Sequence, residues 1–153
     1  MAARRPPQRR TYTVEEANAA LPLVGAIVAD LARVSREVIE RRERLSVLLA
    51  GRDADSSDPY REELVQIEEE VAKDRRRVRG YVEELEELGL EPRNNAKGVV
   101  DFPALMDGSR AALCWKLGEP EVIHWHEPGG SFQSRRPVAA GSVSDCPPVG
   151  ECH

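Results

Sequence analysis

Side chains able to ligate a metal or move a proton are concentrated in one stretch, Leu113-Cys-Trp-Lys-Leu-Gly-Glu-Pro-Glu-Val-Ile-His-Trp-His-Glu127. It holds both tryptophans, two of the three histidines and one of the three cysteines. Thiolate, imidazole and carboxylate are the usual donors of zinc and iron sites. The same groups support proton transfer, or thiol chemistry in which a histidine lowers the cysteine pKa. Whether they act together depends on which face of which strand carries each one.

Three strand-like runs cover Gly98–Leu105, Ser109–Leu117 and Glu121–Glu127. Asp107-Gly108 between the first two is a strong two-residue hairpin signal. It pairs Met106 with Ser109, hence Phe102 with Leu113 and Val100 with Trp115. A three-residue turn at Gly118-Glu-Pro120 pairs Leu117 with Glu121, hence Leu113 with Trp125 and Trp115 with Ile123. Two apolar rows result, Phe102-Leu113-Trp125 and Val100-Trp115-Ile123, and a slip of one residue scatters both. The opposite face then carries Asp101, Cys114 and His124 in one row, with neighbours about 5 Å apart. His126 sits on that face two residues further along.

Asp101, Cys114, His124 and His126 are therefore the candidate ligands of a divalent metal, zinc or iron, or the candidate residues of a thiol- or histidine-based reaction. Glu119 and Glu127 are possible additions. A plainer reading stands beside this one. His-x-His is common on strand surfaces, and a buried cysteine often serves only as a small hydrophobe. Asp101 could instead cap a turn or pair with Lys116, Arg135 or Arg136. The sequence has no C-x-x-C, H-E-x-x-H, phosphate-binding glycine loop or G-x-S-x-G turn. Pro103 places the first strand at a sheet edge.

The sheet needs a partner, and the preceding residues supply one. Thr13 and Glu16 form a capping box, with Tyr12 before it positioned to staple against the first turn near Ala17. A short helix is expected to about Leu21, with Pro22 kinking it or starting the next segment. From there Val24, Ile27, Leu31, Val34, Val38, Leu45 and Leu48 form a heptad seam. A loop covers Leu49–Asp58, and Asp58-Pro59 is a helix start. Leu64, Ile67, Val71, Val78, Tyr81, Leu85 and Leu88 form a second seam, ended by Gly89 and Pro92. The seams match as an antiparallel hairpin about 40 Å long. Leu48 meets Leu64, Leu45 meets Ile67, Val34 meets Val78 and Ile27 meets Leu85. Arg41 and Asp74 interrupt the seams in adjacent layers, which predicts an ion pair that fixes register. Ala32 facing Gly80 predicts close helix approach. Val28, Ile39, Val47, Leu49, Val65 and Val82 flank the seam and need cover, from the sheet at one end and from a second copy of the chain elsewhere.

Charge and composition restrict the function classes. The net charge is -5, yet Arg4, Arg5, Arg9 and Arg10 face no acid within the first ten residues, so the remainder carries -9. An acidic body argues against a nucleic-acid-binding fold. The longest uncharged run, Ala17 to Ala29, is too short to span a bilayer. Three widely spaced cysteines make no disulfide framework, which points to a cytoplasmic protein. Residues 1–10 read as a disordered Arg-rich arm, 11–138 as one domain and 139–153 as a disordered tail, where Cys146, Cys152 and His153 form only a weak metal pattern.

Several segments together resemble one known family. They are Tyr12-Thr-Val-Glu-Glu-Ala-Asn18 leading to Leu21-Pro22, Gly98-Val-Val-Asp-Phe-Pro-Ala104, Leu113-Cys-Trp-Lys-Leu-Gly-Glu119, Trp125-His-Glu127, and Phe132 before Arg135-Arg136. The family is bacterial and archaeal, a domain of unknown function designated DUF2203, and the resemblance covers roughly residues 11–138. It implies that hairpin and sheet form one unit, and it implies no activity or cofactor. The stretch Pro92-Arg-Asn-Asn-Ala-Lys97 departs from the Lys-Asp expected there.

The expected fold is α+β: a long antiparallel helical hairpin followed by a three-stranded antiparallel β-meander. The favoured function is a non-enzymatic homodimeric interaction or assembly module acting through its hairpin, with an unknown protein partner and no membrane or nucleic-acid role. The alternative is a divalent-metal-binding or thiol/histidine-based enzyme on the polar face of the meander.

Overall fold

The computed structural model describes residues 10–50 and 61–138. The Arg-rich arm before residue 10, the Asp58-Pro59 helix start and the tail cysteines lie outside the described residues.

Helix α1 spans Val14–Leu49 and helix α2 spans Arg61–Glu87. The capping box forms as expected: the Thr13 hydroxyl accepts from the Glu16 amide at 3.0 Å, and Glu16 accepts from the Thr13 amide at 3.1 Å. Pro22 does not divide the helix, contrary to expectation. An interior proline costs about 3 kcal/mol. Ala17 before it and Val24, Val28 and Leu31 after it are all buried, and burying that continuous stripe outweighs the cost. The most apolar 18-residue window of α1 has a mean hydropathy of 1.4, long and apolar enough by length and composition alone to cross a membrane, and 33% of that window is buried.

Tyr12 also departs from expectation. Its ring leaves the first turn and packs edge-on to Phe102, with centroids 5.2 Å apart. Its hydroxyl donates to the Leu88 carbonyl, and its amide donates to Pro103. The residue thus ties the start of α1 to the end of α2 and to the sheet. Gly89 ends α2 at φ +85°, with the Leu90 amide reaching back to the Leu85 carbonyl and the Gly89 amide to Glu86. That pair of bonds satisfies carbonyls a helix end otherwise leaves free.

The helices pair along their seams. Val38, Ile67 and Val71 are buried together with Leu45 and Leu48 against them. Arg41 bonds Asp74 as predicted and lies 3.4 Å from Glu70. The Ala32–Gly80 expectation is not met, because a Cβ on Gly80 would touch nothing within 4 Å.

The sheet has five antiparallel strands in sequence order where three were expected: β1 (Glu91–Asn94), β2 (Val99–Met106), β3 (Ser109–Lys116), β4 (His124–His126) and β5 (Arg136–Pro137). The two unforeseen strands are the edges. They are short and largely exposed, and each contains a proline, so neither shows the apolar alternation that marks a half-buried strand. Pro103 therefore lies in an interior strand, but beyond the reach of β1, which pairs only with Val99 to Asp101.

The derived registers hold where strands exist. Phe102 pairs with Leu113, Val100 with Trp115, Leu113 with Trp125 and Cys114 with His124. Asp107 and Gly108 both have positive φ, the requirement of a type I′ turn. The second turn is wider than expected. Glu119 folds back, its carboxylate accepting from the Lys116 amide at 2.8 Å and its carbonyl from the Trp115 indole at 3.0 Å. The chain leaves the ladder, and Ile123, assigned to the core, is 45% exposed. Val122 takes the buried place, held by Asn18, which accepts from its amide at 2.7 Å and donates to its carbonyl at 3.2 Å. Pairing resumes at His124 in the original register. One sheet face packs on α1, where Gly98 is close enough that a Cβ would lie 2.7 Å from Leu117 and 3.1 Å from Val28.

Candidate metal centre

The other face carries the reactive side chains. Asp101 from β2, Cys114 from β3 and His126 from β4 are all buried, and one donor atom from each lies within 4.8 Å of the other two. Strand pairing explains the assembly: Asp101 is opposite Cys114, and Ala112, two residues before Cys114, is opposite His126. His126 is therefore diagonal to Cys114, within reach of a ring across adjacent strands.

His126 Nδ1 lies 2.8 Å from the Glu127 carbonyl. A carbonyl can only accept, so Nδ1 carries the proton, and a neutral ring then has a bare lone pair on Nε2. That nitrogen lies 3.0 Å from Asp101 Oδ2. Neither His126 Nε2 nor Asp101 Oδ1 makes a well-directed hydrogen bond among the described residues. Gly130 leaves room for the ring, since a Cβ there would meet the Glu127 carbonyl at 2.9 Å and His126 Nδ1 at 3.0 Å.

Arg93 is a residue that sequence reasoning missed. The ladder shifts register between Pro92 and Asn94, leaving Arg93 in a bulge. Bulges re-aim side chains, and this one brings Arg93 Nε to 3.6 Å from Asp101 Oδ2 and its guanidinium to 3.0 Å from the Gly130 carbonyl. The residue order carries no mark of it, because β1 is too short and polar to show a pattern. Burial raises the Asp101 pKa, with His126, Cys114 and Arg93 opposing. The Cys114 thiol is pushed up to about 12, first by burial and then by the Asp101 carboxylate. This is opposite in direction to the expected activation by histidine.

His124 separates from the cluster. It pairs with Cys114 in register, but its ring lies 3.9 Å from Glu119. Glu119 is gripped by Arg135 through both oxygens, one at 2.7 Å. Burial alone would raise the Glu119 pKa, but Arg135 and the Lys116 amide outweigh it and hold it below the usual range. Arg135 thus pairs with Glu119 and not with Asp101. Glu127 is turned toward Arg136 at 3.4 Å, so it contributes its carbonyl to the centre and not its carboxylate.

A cleft of about 560 Å³ opens beside the cluster, lined by Asp101 and His126, by the apolar side chains of Pro103 and Leu105, and by Arg93 and Arg110. Cys114 is fully buried and does not line the cleft. Two of the three potential donors, Asp101 and His126, thus line a space large enough for a small molecule.

No curated protein and no solved structure gives a match to this chain. The model of a family described as an uncharacterized conserved protein matches residues 10–138, a span that includes every described residue. The chain belongs to the DUF2203 family.

Proposed function

We propose that this domain binds one divalent transition metal ion through Asp101, Cys114 and His126, and that the adjoining cleft admits a small ligand or water to it. The observation that carries the reading is a buried carboxylate oxygen 3.0 Å from an imidazole nitrogen whose opposite ring nitrogen lies on a backbone carbonyl, which leaves two acceptors together when the ring is neutral. Two buried lone pairs at that distance repel unless a cation lies between them. A proton could serve, but a metal also accounts for the thiol alongside. The donor set of one sulfur, one nitrogen and one oxygen suits Zn²⁺ or Fe²⁺.

Three protein ligands beside a cleft are the pattern of sites that keep a coordination position open for water or substrate. The proposed role is therefore activation of water or of a small ligand, in preference to a closed structural site. Glu127 supplies the carbonyl that orients the imidazole, as outer partners of metal-bound histidines commonly do. Free-thiolate chemistry is disfavoured, because a thiol with a pKa near 12 is protonated at neutral pH. Cys114 would hold a metal as its thiolate, the proton being released on binding.

The test is elemental analysis of untagged full-length protein after dialysis against Zn²⁺ or Fe²⁺ and removal of free metal. About one ion per chain is expected, lost in Cys114→Ser and in His126→Ala but retained in His124→Ala. With Co²⁺ substituted, a sulfur-to-metal charge-transfer band should appear and vanish in Cys114→Ser. Retention of no metal by folded wild-type protein would overturn the proposal.

A further inference from the structure

The face of α1 that lies on the sheet, at Gly25 beside Trp115 and at Val28 beside Gly98, continues along the helix in steps of three and four. It runs past the sheet to Ile39 and Leu49, which are 45% and 50% exposed. Leu49 also lines a groove of about 450 Å³ between the two helices, together with Leu45, Val71 and Ala72 among charged residues. Val65, 44% exposed, extends the apolar surface on α2. What the sheet does for one half of the hairpin, nothing among the described residues does for the other.

The charge order of α2 indicates what fits there. Residues 62–70 carry five glutamates and no cation; residues 73–79 carry one lysine and four arginines against the single Asp74. Asp74 is already bonded to Arg41. Glu68, Glu69, Arg75 and Arg76 are exposed, and among the described residues none of them is in an ion pair. The two blocks change places on inversion about Val71-Ala72. A partner whose charges run in the opposite order is therefore another copy of this helix lying antiparallel.

We infer that the outer half of the hairpin is a homodimer interface, in which two copies pack groove to groove and antiparallel about a two-fold axis near Ala72. Glu68 and Glu69 of each copy then face Arg75 and Arg76 of the other. A parallel arrangement would place like blocks together and is disfavoured by charge. The axis also brings the two grooves into contact, so Ile39, Leu49 and Val65 lose solvent together. Residues 35–49 measure about 22 Å along the helix. An interface of that length is small, which makes the dimer weak and salt-sensitive.

Sedimentation equilibrium of the full chain over about 1–100 μM should show a reversible monomer–dimer equilibrium that weakens as salt is added. Glu68→Lys with Glu69→Lys should raise the dissociation constant at least about tenfold, and so should Arg75→Glu with Arg76→Glu, each with unchanged circular dichroism. All four positions are exposed, so folding should survive. Mixing the two double variants should restore a dimer, and only a heterodimer, because one copy then carries only cations and the other only acids. A wild-type monomer throughout this range overturns the inference. So does a dimer indifferent to both charge swaps, or a mixture that fails to associate.

Discussion

The two halves of the helical hairpin have the same heptad pattern and different physical circumstances. Near the sheet, sixteen buried apolar residues form one cluster drawn from both helices and the strands. Beyond it, Val38, Ile67 and Val71 are, among the described residues, the buried members of a separate cluster. The first half is held by apolar area from three directions. The outer half has one apolar seam, and the Arg41–Asp74 bond in its middle. Identical periodicity thus says where two helices touch, but how firmly they are held depends on what lies across the remaining faces.

The largest expected effect lies in the body. Phe102 is fully buried between Tyr12 and the helices, so Phe102→Ala should cost about 3–5 kcal/mol in urea unfolding. Because the outer half has so little core of its own, it should unfold in the same transition. An outer half that stays helical after the body melts would break the comparison.

Asp74→Ala should have a smaller and local effect, about 1–3 kcal/mol, since it removes the partner of a half-buried Arg41. Both tryptophans report on the sheet, so their fluorescence should be nearly unchanged. Amide exchange should quicken in residues 35–49 and 61–77 and stay slow in β2 and β3. Equal loss of protection in both regions would show that hairpin and sheet are one cooperative unit.

The smallest effect is expected from acid. Glu119 has a pKa held below its ordinary value. The Glu119–Arg135 contribution is therefore fully present above the unfolded carboxylate pKa and is lost as pH falls through the folded one. Glu119→Gln should flatten the decline in stability below about pH 4.5, around the ordinary glutamate pKa, with Arg135→Gln behaving alike. A wild-type acid limb unchanged by either substitution would remove the pair from the account of the body's stability.

Much of this architecture could be read from residue order. The hairpin seams, the capping box, the Asp107-Gly108 turn and the pairing of Cys114 with both Asp101 and His124 all follow from periodicity and turn chemistry, which are local properties. Three of the four proposed donors meet. What could not be read depended on contacts between distant segments. Asn18 captures Val122 and thereby turns Ile123 outward. The edge strands pair through backbone alone, and a bulge aims Arg93. Strand alternation placed His124 and His126 on one face equally, but only the folded chain puts Glu119 and Arg135 beside the first and leaves the second over Asp101. Pro22 was misleading because its local cost is clear in the sequence, while the burial that offsets it is not.

The prolines at the two sheet margins, Pro92 in β1 and Pro137 in β5, have a consequence for the crowded state of the cell. An open sheet edge is a template on which a stray strand from another molecule can be added, and repetition of that step produces fibrils. Here each margin is a few residues long and lacks an amide hydrogen at its proline. Strand-by-strand addition is therefore disfavoured at both of these margins.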